Sequence, residues 1–398
     1  MSPSNAQWAQ AGSSVWMGGA KRPDLCFVAG SGSRLRDADG REYLDFVGGW
    51  AVCALGHSPA AVARALGGQA STLLHCSPGY WNPPAIALAQ KLSSLSGFGR
   101  VFLGCTGAEA NECAIKLARK RGAATGAWKI VATLDGFHGR TLATMSATGK
   151  PAWQGLFGPK VPGFVHVPPN DIDALEAAMD KDVCAVLFEP VQGEGGVVPF
   201  SVEYAAKARE LCDRHGASLV FDEVQTGMGR CGSWFAFQNL GVRPDVLTLG
   251  KGLGGGYPLS ACLTDAKHDL FEPGDQGGTF TYHPLGAAVG LAVIQEMERL
   301  DLVARSKSAG LALRAKLEAL APEFGLRHIR GSGLLQAFDL PDPTGQELVA
   351  AALREGLLLN SPRPSSIRLM PPLVVTDGDL EEFGQKLERA LETLTKVS

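Results

Sequence analysis

No apolar run in this 398-residue chain approaches the roughly 20 residues needed to cross a bilayer, so no membrane-spanning helix is expected. Cysteine pairs spaced for zinc or redox work are also missing. The nine cysteines are an odd number and lie scattered, with no C-x-x-C. That usage suits free thiols in a reducing cytoplasm better than a disulfide framework. There is no H-E-x-x-H either, and no metal site is expected. An excess of either charge is lacking: 37 Lys and Arg face 40 Asp and Glu, a net charge of −3, which offers little to nucleic acid or an anionic membrane. The opening segment MSPSNAQWAQAG has neither a basic stretch nor an apolar core, so no signal peptide is expected. Low-complexity segments and repeats of fixed period are absent too. What remains is an ordinary globular balance, 45% apolar and 19% charged, in a chain long enough for one large domain and a smaller one.

Between about residues 95 and 260, short apolar runs alternate with helical patterns. FVHV near 164, CAVLFEPV at 184–191, SLVFDEV at 218–224 and DVLTLG at 245–250 read as buried strands. Residues 108–122, AEANECAIKLARKRG, carry Ala110, Cys113, Ala114, Leu117 and Ala118 as one apolar stripe at helical spacing. A second helix is expected at 203–214, ended by Gly216. Such alternation predicts an α/β fold with a mostly parallel sheet covered on both faces, and ligands at the carboxyl ends of its strands. After residue 285 a long helical pattern runs to about Leu320, broken near Leu300–Asp301. Thr344 and Glu347 have the spacing of a capping box, LLLN and IRLM read as short strands, and 376–396 reads as a final helix. The expected division is an N-terminal segment 1–45 packed with the small domain, a large domain 46–290, and a small C-terminal α/β domain 291–398.

Residues 247–258, LTLGKGLGGGYP, set a lysine among glycines directly after an apolar run. A P-loop is ruled out, because Gly252 stands where a Ser or Thr should follow Lys251 and Asp245 where the first glycine should be. Gly250, Gly252 and Gly255 satisfy G-x-G-x-x-G, but Gly256-Tyr257-Pro258 breaks the helix which a dinucleotide site would need next. A nucleophilic lysine bound covalently to a carbonyl cofactor fits better, since the glycines leave room for a flat ring. A solvated lysine in a surface loop is the remaining alternative, although its flanks are apolar.

A pyridoxal phosphate (PLP) site would need three more parts. A carboxylate must face the pyridine nitrogen, and Asp222 in FDEV stands near the end of a buried strand. The same acid could instead cap that strand with Glu223. The phosphate needs N–H donors at a helix start, where Thr106-Gly107-Ala108 opens the strongest amphipathic helix; a plain N-cap reads equally well. The ring needs an apolar face, for which GFHGRT offers Phe137 beside His138 and Arg140, or Phe137 is simply core.

Together these stretches resemble the class III (ω-) aminotransferases, PLP enzymes of fold type I. The resemblance rests on SRLRDADGREYLDFVGGWAVCALGH, TGAEANECAIKLARK, GFHGRTLATMSATGKP, FEPVQGEGGV, FDEVQTGMGR, LTLGKGLGGGYPLSA and IRLMPPLVVT, in the family's order over nearly the whole chain. It implies that Lys251 anchors PLP covalently, that Asp222 pairs with the pyridine nitrogen and Gln225 meets the ring hydroxyl. It implies that Phe137 stacks on the ring and that Thr106, Gly107 and Ala108 hold the phosphate. Thr279 would reach that phosphate from the other subunit of a homodimer. Arg140 is similar to the arginine that binds the distal carboxylate, and Arg368 to the one that grips the α-carboxylate of glutamate, with Glu194 shielding Arg368 when a terminal amine is presented. The implied reaction moves the terminal amino group of N-acetylornithine to 2-oxoglutarate in arginine biosynthesis. Ornithine, 4-aminobutyrate, N-succinylornithine or a specialised-metabolite amine are the alternative donors.

Three departures from the family pattern stand out. Cys105-Thr106 replaces the usual serine or asparagine-serine, keeping a hydroxyl. Thr281-Tyr282-His283-Pro284 replaces G-G-N-P, which either narrows the pocket or redirects the loop. Trp50 stands where relatives that take free ornithine carry tyrosine.

Overall fold

The computed structural model describes residues 3–395. Its centre is a seven-stranded sheet, in the order Arg100–Gly104, Ser260–Thr264, Val246–Leu249, Ser218–Asp222, Val183–Phe188, Lys129–Thr133, Phe164–Val167. All strands run parallel except Ser260–Thr264, which is antiparallel to both its neighbours. The four strands expected from apolar runs are present. In the three central ones the apolar run follows from burial on both faces, whereas Phe164–Val167 lies at the sheet edge and is only partly buried. Because successive side chains alternate, Val186, Phe188, Leu219 and Phe221 enter one core layer, while Ala185, Leu187 and Val220 enter the other.

Each layer is closed by a helix that the sequence delimits. Helix Gly107–Ala123 begins with a capping box between Thr106 and Glu109, ends with Lys120 and Arg121, and buries all five residues of the expected stripe. Helix Val202–His215 starts at a Ser201 cap and stops at Gly216, whose φ of 68° suits glycine. It lays Tyr204, Ala208 and Leu211 into the opposite layer.

The helical pattern after 285 forms as two helices, Pro284–Arg299 and Leu302–Phe324, parted at Asp301 (φ 48°). Leu302–Phe324, Gly345–Arg354 and Asp377–Thr395 pack with an antiparallel sheet ordered Arg327–Ser332, Leu335–Asp339, Ser366–Leu369, Asn360–Arg363. The capping box expected at Thr344 and Glu347 does not form. Thr344 makes no side-chain cap bond, and the helix start is held by tertiary contact, the Gly345 N–H donating to the Pro364 carbonyl at 2.7 Å. A Cβ on Gly345 would fall 2.3 Å from Ser361 Oγ, so this close approach has replaced the local cap.

Three N-terminal strands, Phe27–Ser31, Arg34–Asp37 and Glu42–Asp45, form a sheet whose edge pairs in parallel with Leu357–Leu358. Phe46 stacks on Phe383 at 4.2 Å, and Arg34 bridges Asp379 and Glu382 of the last helix. Residues 1–2 and 396–398, at the ends of the first and third expected segments, lie outside the described residues.

Arg230, 2% exposed, joins the large sheet's loops to the C-terminal half by donating from Nη1 to the Leu334 and Pro371 carbonyls (3.1 and 2.5 Å). Burial without an acidic partner pushes its pKa down to about 10. Arg230→Met keeps the volume but strands two carbonyls, and is expected to lower stability by about 3 kcal/mol, read from the urea midpoint.

Candidate active site

Five parallel strands end on the same edge of the large sheet, and each leads into a candidate residue. Arg100–Gly104 leads to Thr106, Lys129–Thr133 to Phe137, Val183–Phe188 to Glu189, Ser218–Asp222 ends on Asp222, and Val246–Leu249 leads to Lys251. Parallel order forces this convergence, because all carboxyl ends lie on one side.

Lys251 opens a short 3₁₀ turn with φ 41°, a left-handed conformation that costs an ordinary side chain about 1–3 kcal/mol. Burial, helped by the Arg368 charge, pushes its ammonium down to about 8, against the opposing pull of Glu189, Glu194 and Asp222. These four charges therefore surround one amine. The neutral amine is the form that attacks a carbonyl. Capture of a carbonyl cofactor by the protein stripped of it should quicken about tenfold per pH unit below 8 and level off above, followed by stopped-flow absorbance. A rate flat from pH 6 to 9 would remove Lys251 from that role.

Asp222 is 3% exposed and meets no lysine or arginine among the described residues. Its Oδ2 accepts from Asn111 Nδ2 at 2.7 Å and lies 2.8 Å from His138 Nδ1, while Oδ1 accepts from the Val224 N–H at 3.0 Å. Thr248 Oγ1 donates to Asn111 Oδ1 at 2.7 Å and so fixes that amide. A carboxylate held only by neutral donors and an imidazole has capacity left for one cation. The alternative of Asp222 and Glu223 as paired strand-end caps is not what forms: Glu223 accepts from the Ala236 and Phe237 N–H groups (2.6 and 2.7 Å), apart from the Asp222 cluster. Glu189, which the sequence reading did not single out, accepts from the Phe137 and Gly193 N–H groups at 2.9 and 3.1 Å; burial pushes it up to about 7.

At the helix start, Thr106 Oγ1 donates to Glu109 Oε2 at 3.0 Å and accepts from the Glu109 N–H at 3.2 Å, so its hydroxyl serves the capping box. Helix geometry leaves the N–H groups of Gly107 and Ala108 for an anion. A Cβ on Gly107 would sit 2.6 Å from Val224 Cγ1, so only glycine brings this helix so near the Asp222 loop.

Arg368 is fully buried in strand Ser366–Leu369. Its Nη2 donates to Glu194 Oε1 at 2.7 Å and to Asn360 Oδ1 at 2.8 Å, Nε to the same Asn360 oxygen at 3.0 Å, and Nη1 to Gln225 Oε1 at 3.3 Å. Burial alone would raise the Glu194 carboxyl, but Arg368 and then Lys150 overcome it and hold it at about 2. Trp50 lies with its ring 5.6 Å from the Arg368 guanidinium and is 51% exposed. It is carried on Gly48–Ala51, a turn whose four residues all have φ between 58° and 67°. Gly48 also lies so close to the Met370 carbonyl that a Cβ would meet it at 2.6 Å.

Two expected residues are not brought into this cluster within one chain. Arg140 is exposed, with its guanidinium 4.7 Å from the Trp153 ring. Thr279 is exposed, and its carbonyl is 2.8 Å from His75 Nε2. Within one chain the residues of the 281–284 departure are held by local packing. Tyr282 packs edge-on against Phe102 at 5.8 Å, and His283 Nδ1 accepts from the Gly286 N–H at 3.4 Å to cap helix Pro284–Arg299. Asn111, Glu189, Lys150 and Asn360 were missed. Asn111 alone left a signal, as a polar residue on a stripe that is otherwise apolar.

The donor set fits PLP. A left-handed lysine with a depressed pKa supplies the amine, a buried carboxylate without a cation can face a pyridinium, and an N-terminus opened by a glycine with no room for Cβ can hold a phosphate.

The family model for aminotransferase class III matches residues 18–391. The chain is 48% identical over 380 residues to acetylornithine aminotransferase 2 of Bordetella bronchiseptica, covering 94% of this chain and 96% of that one. Among solved structures, ornithine aminotransferase of Toxoplasma gondii superposes with a TM-score of 0.93 at 31% identity, covering 100% of this chain and 97% of the other. Acetylornithine aminotransferase of Elizabethkingia anophelis gives 0.88 at 31% identity, over 98% and 100%. Matched over nearly its whole length in both sequence and fold, the chain belongs to the class III aminotransferases and is a transaminase.

Proposed function

We propose that this transaminase moves the terminal amino group of N-acetylornithine to 2-oxoglutarate, yielding N-acetylglutamate semialdehyde and glutamate, a step of arginine biosynthesis. The observation that carries the reading is the buried Arg368 closed by Glu194 beside Lys251, in a chain whose relatives bear the name acetylornithine aminotransferase. An exposed guanidinium would draw the α-carboxylate of any amino acid to the reacting amine. Shielded, it lets a terminal amine approach without binding the wrong end.

Bound PLP supplies an electron sink for negative charge on the substrate carbon. Lys251 would hold it covalently, and its amine would carry a proton to and from the substrate carbon. Asp222, its carboxylate oriented by Asn111 and His138, would pair with the pyridine nitrogen. Phe137 would face the ring, Gln225 would meet the ring hydroxyl, and Thr106, Gly107 and Ala108 would hold the phosphate. Arg140 takes the carboxylate far from the reacting carbon, Trp50 borders the acyl group of the donor, and Arg368 takes the α-carboxylate of glutamate. Thr279 completes the phosphate site from the other subunit of a homodimer, which agrees with its exposed place outside the single-chain cluster. We also assign segment 1–45 and residues 291–398 to one small domain and 46–290 to the large one. Their shared strand pairing, Glu42–Asp45 with Leu357–Leu358, supports that division. The enzyme works in the cytoplasm; no helix among the described residues is long and apolar enough to cross a membrane.

The test is the visible absorbance of the holoenzyme as N-acetylornithine is added alone. Loss of the cofactor band and its return on adding 2-oxoglutarate are expected. A band that persists with N-acetylornithine but is lost with glutamate or ornithine would discard the donor and keep the reaction class. Glu194→Ala should uncover Arg368 and shift the ratio of kcat/KM for glutamate over N-acetylornithine upward by roughly 10- to 100-fold, the range for one charged hydrogen bond.

A further inference from the structure

Glu194 is shared by two cations. Arg368 Nη2 lies 2.7 Å from its Oε1, and Lys150 Nζ lies 3.1 Å from its Oε2. The three come from separate parts of the fold: strand Ser366–Leu369, the loop after strand Val191–Gln192, and the segment between helix Leu142–Ala147 and the turn at Pro151–Trp153. Lys150 has no other carboxylate partner among the described residues. Its ammonium lies 5.3 Å from the Phe137 ring centroid and 5.2 Å from that of Trp153, so two aromatic faces hold it in place at the mouth of the site.

We propose that Lys150 is the positioning residue of the specificity switch: it keeps the Glu194 carboxylate when a substrate α-carboxylate displaces it from Arg368. The inference rests on the reading of Arg368 and Glu194 given above. It follows from charge accounting at a site where Glu194 is four-fifths buried. Such a carboxylate cannot be expelled from one cation without meeting another, because an unpaired buried charge is far more costly than a lost hydrogen bond. With Lys150 already on its second oxygen, Glu194 gives up one charged contact and keeps the other. Without Lys150, Arg368 is the only ion-pair partner left to it among the described residues, and the closed state is favoured. Lys150 therefore acts on the glutamate and 2-oxoglutarate half of the cycle, where Arg368 must be free. It leaves alone the terminal-amine half, where the pair stays shut.

The experiment is Lys150→Met in the holoenzyme, with Lys150→Gln as a second neutral variant and Lys150→Arg as the conservative one. The KM for 2-oxoglutarate is expected to rise about tenfold in both neutral variants. The KM for N-acetylornithine and the saturated kcat should stay within about twofold, and Lys150→Arg should restore the 2-oxoglutarate KM. Calorimetric affinity for glutarate, an unreactive dicarboxylate, should fall by the same factor. An unchanged KM for 2-oxoglutarate, or an equal rise for both substrates, overturns the proposal. The cycle with Glu194→Ala separates the two readings. If Glu194→Ala alone leaves substrate preference unmoved, the switch itself fails. If it moves preference while Lys150→Met does not, only the role of Lys150 fails. If Lys150→Met still weakens 2-oxoglutarate in the Glu194→Ala background, Lys150 binds substrate directly and the proposal is again overturned.

Discussion

Lys251→Ala is expected to reduce amine transfer by at least about 10⁴-fold while leaving the fold intact. Two losses combine. The covalent hold on the cofactor disappears, and so does the group that carries the proton, for which general acid–base catalysis alone is worth about 10²–10⁴. Stability should hold because alanine inherits the same left-handed φ of 41°, neither better nor worse suited to it than lysine. Removing an amine whose ammonium is disfavoured by burial also relieves a desolvation penalty. The measurement is kcat at saturating donor and acceptor, together with cofactor retained after gel filtration and the thermal midpoint. Residual turnover above about a thousandth of wild type, with a normal midpoint, would remove Lys251 from the chemistry.

Asp222→Asn is expected to lower kcat by roughly 10³-fold at saturating cofactor. A unit-charge pair at contact in an effective dielectric of 20 is worth about 4 kcal/mol, and that converts to about three decades in rate. The substitution keeps the shape, so Asn111 and His138 retain a neighbour of the same size. What is lost is the negative charge that keeps a pyridine ring protonated and electron-withdrawing. On the proposed assignment binding should suffer less than kcat, since Lys251 and the helix start at Gly107 would still hold the cofactor. A fall in affinity with unchanged kcat would make Asp222 a binding residue only.

Much of the frame was legible because it is written in short-range patterns. Residues 164–167, 184–188, 218–222 and 246–249 are mostly apolar and four to five long, and all but the first are buried throughout, which suits strands covered on both faces. The Thr106–Glu109 box and Gly216 mark helix ends by bonds within a few residues. The glycine-set lysine could be narrowed by elimination, and the resemblance then supplied its partners. Thr344–Glu347 shows where such reading fails. Its spacing suits a capping box, yet the helix start is bound to Pro364 and crowded by Ser361 instead, so a tertiary contact overrode a local one. Tyr282 shows the converse. Its sequence position leaves open a narrowed pocket or a redirected loop, and only the fold shows that the side chain packs on Phe102, a neighbour 180 positions away in the chain.

The sequence by itself determined the class of fold and the edge of the sheet where chemistry must lie, and marked Lys251 and Asp222 as candidates. Apolar periodicity and glycine placement need only neighbours along the chain. Tertiary structure alone decided that Asn111 and His138 orient Asp222, that Asn360 and Gln225 grip Arg368, and that Lys150 shares Glu194. Hydrogen bonds and ion pairs reach only about 3 Å. Which polar groups come that close is fixed by strand order and by the packing of distant elements, which no local pattern records.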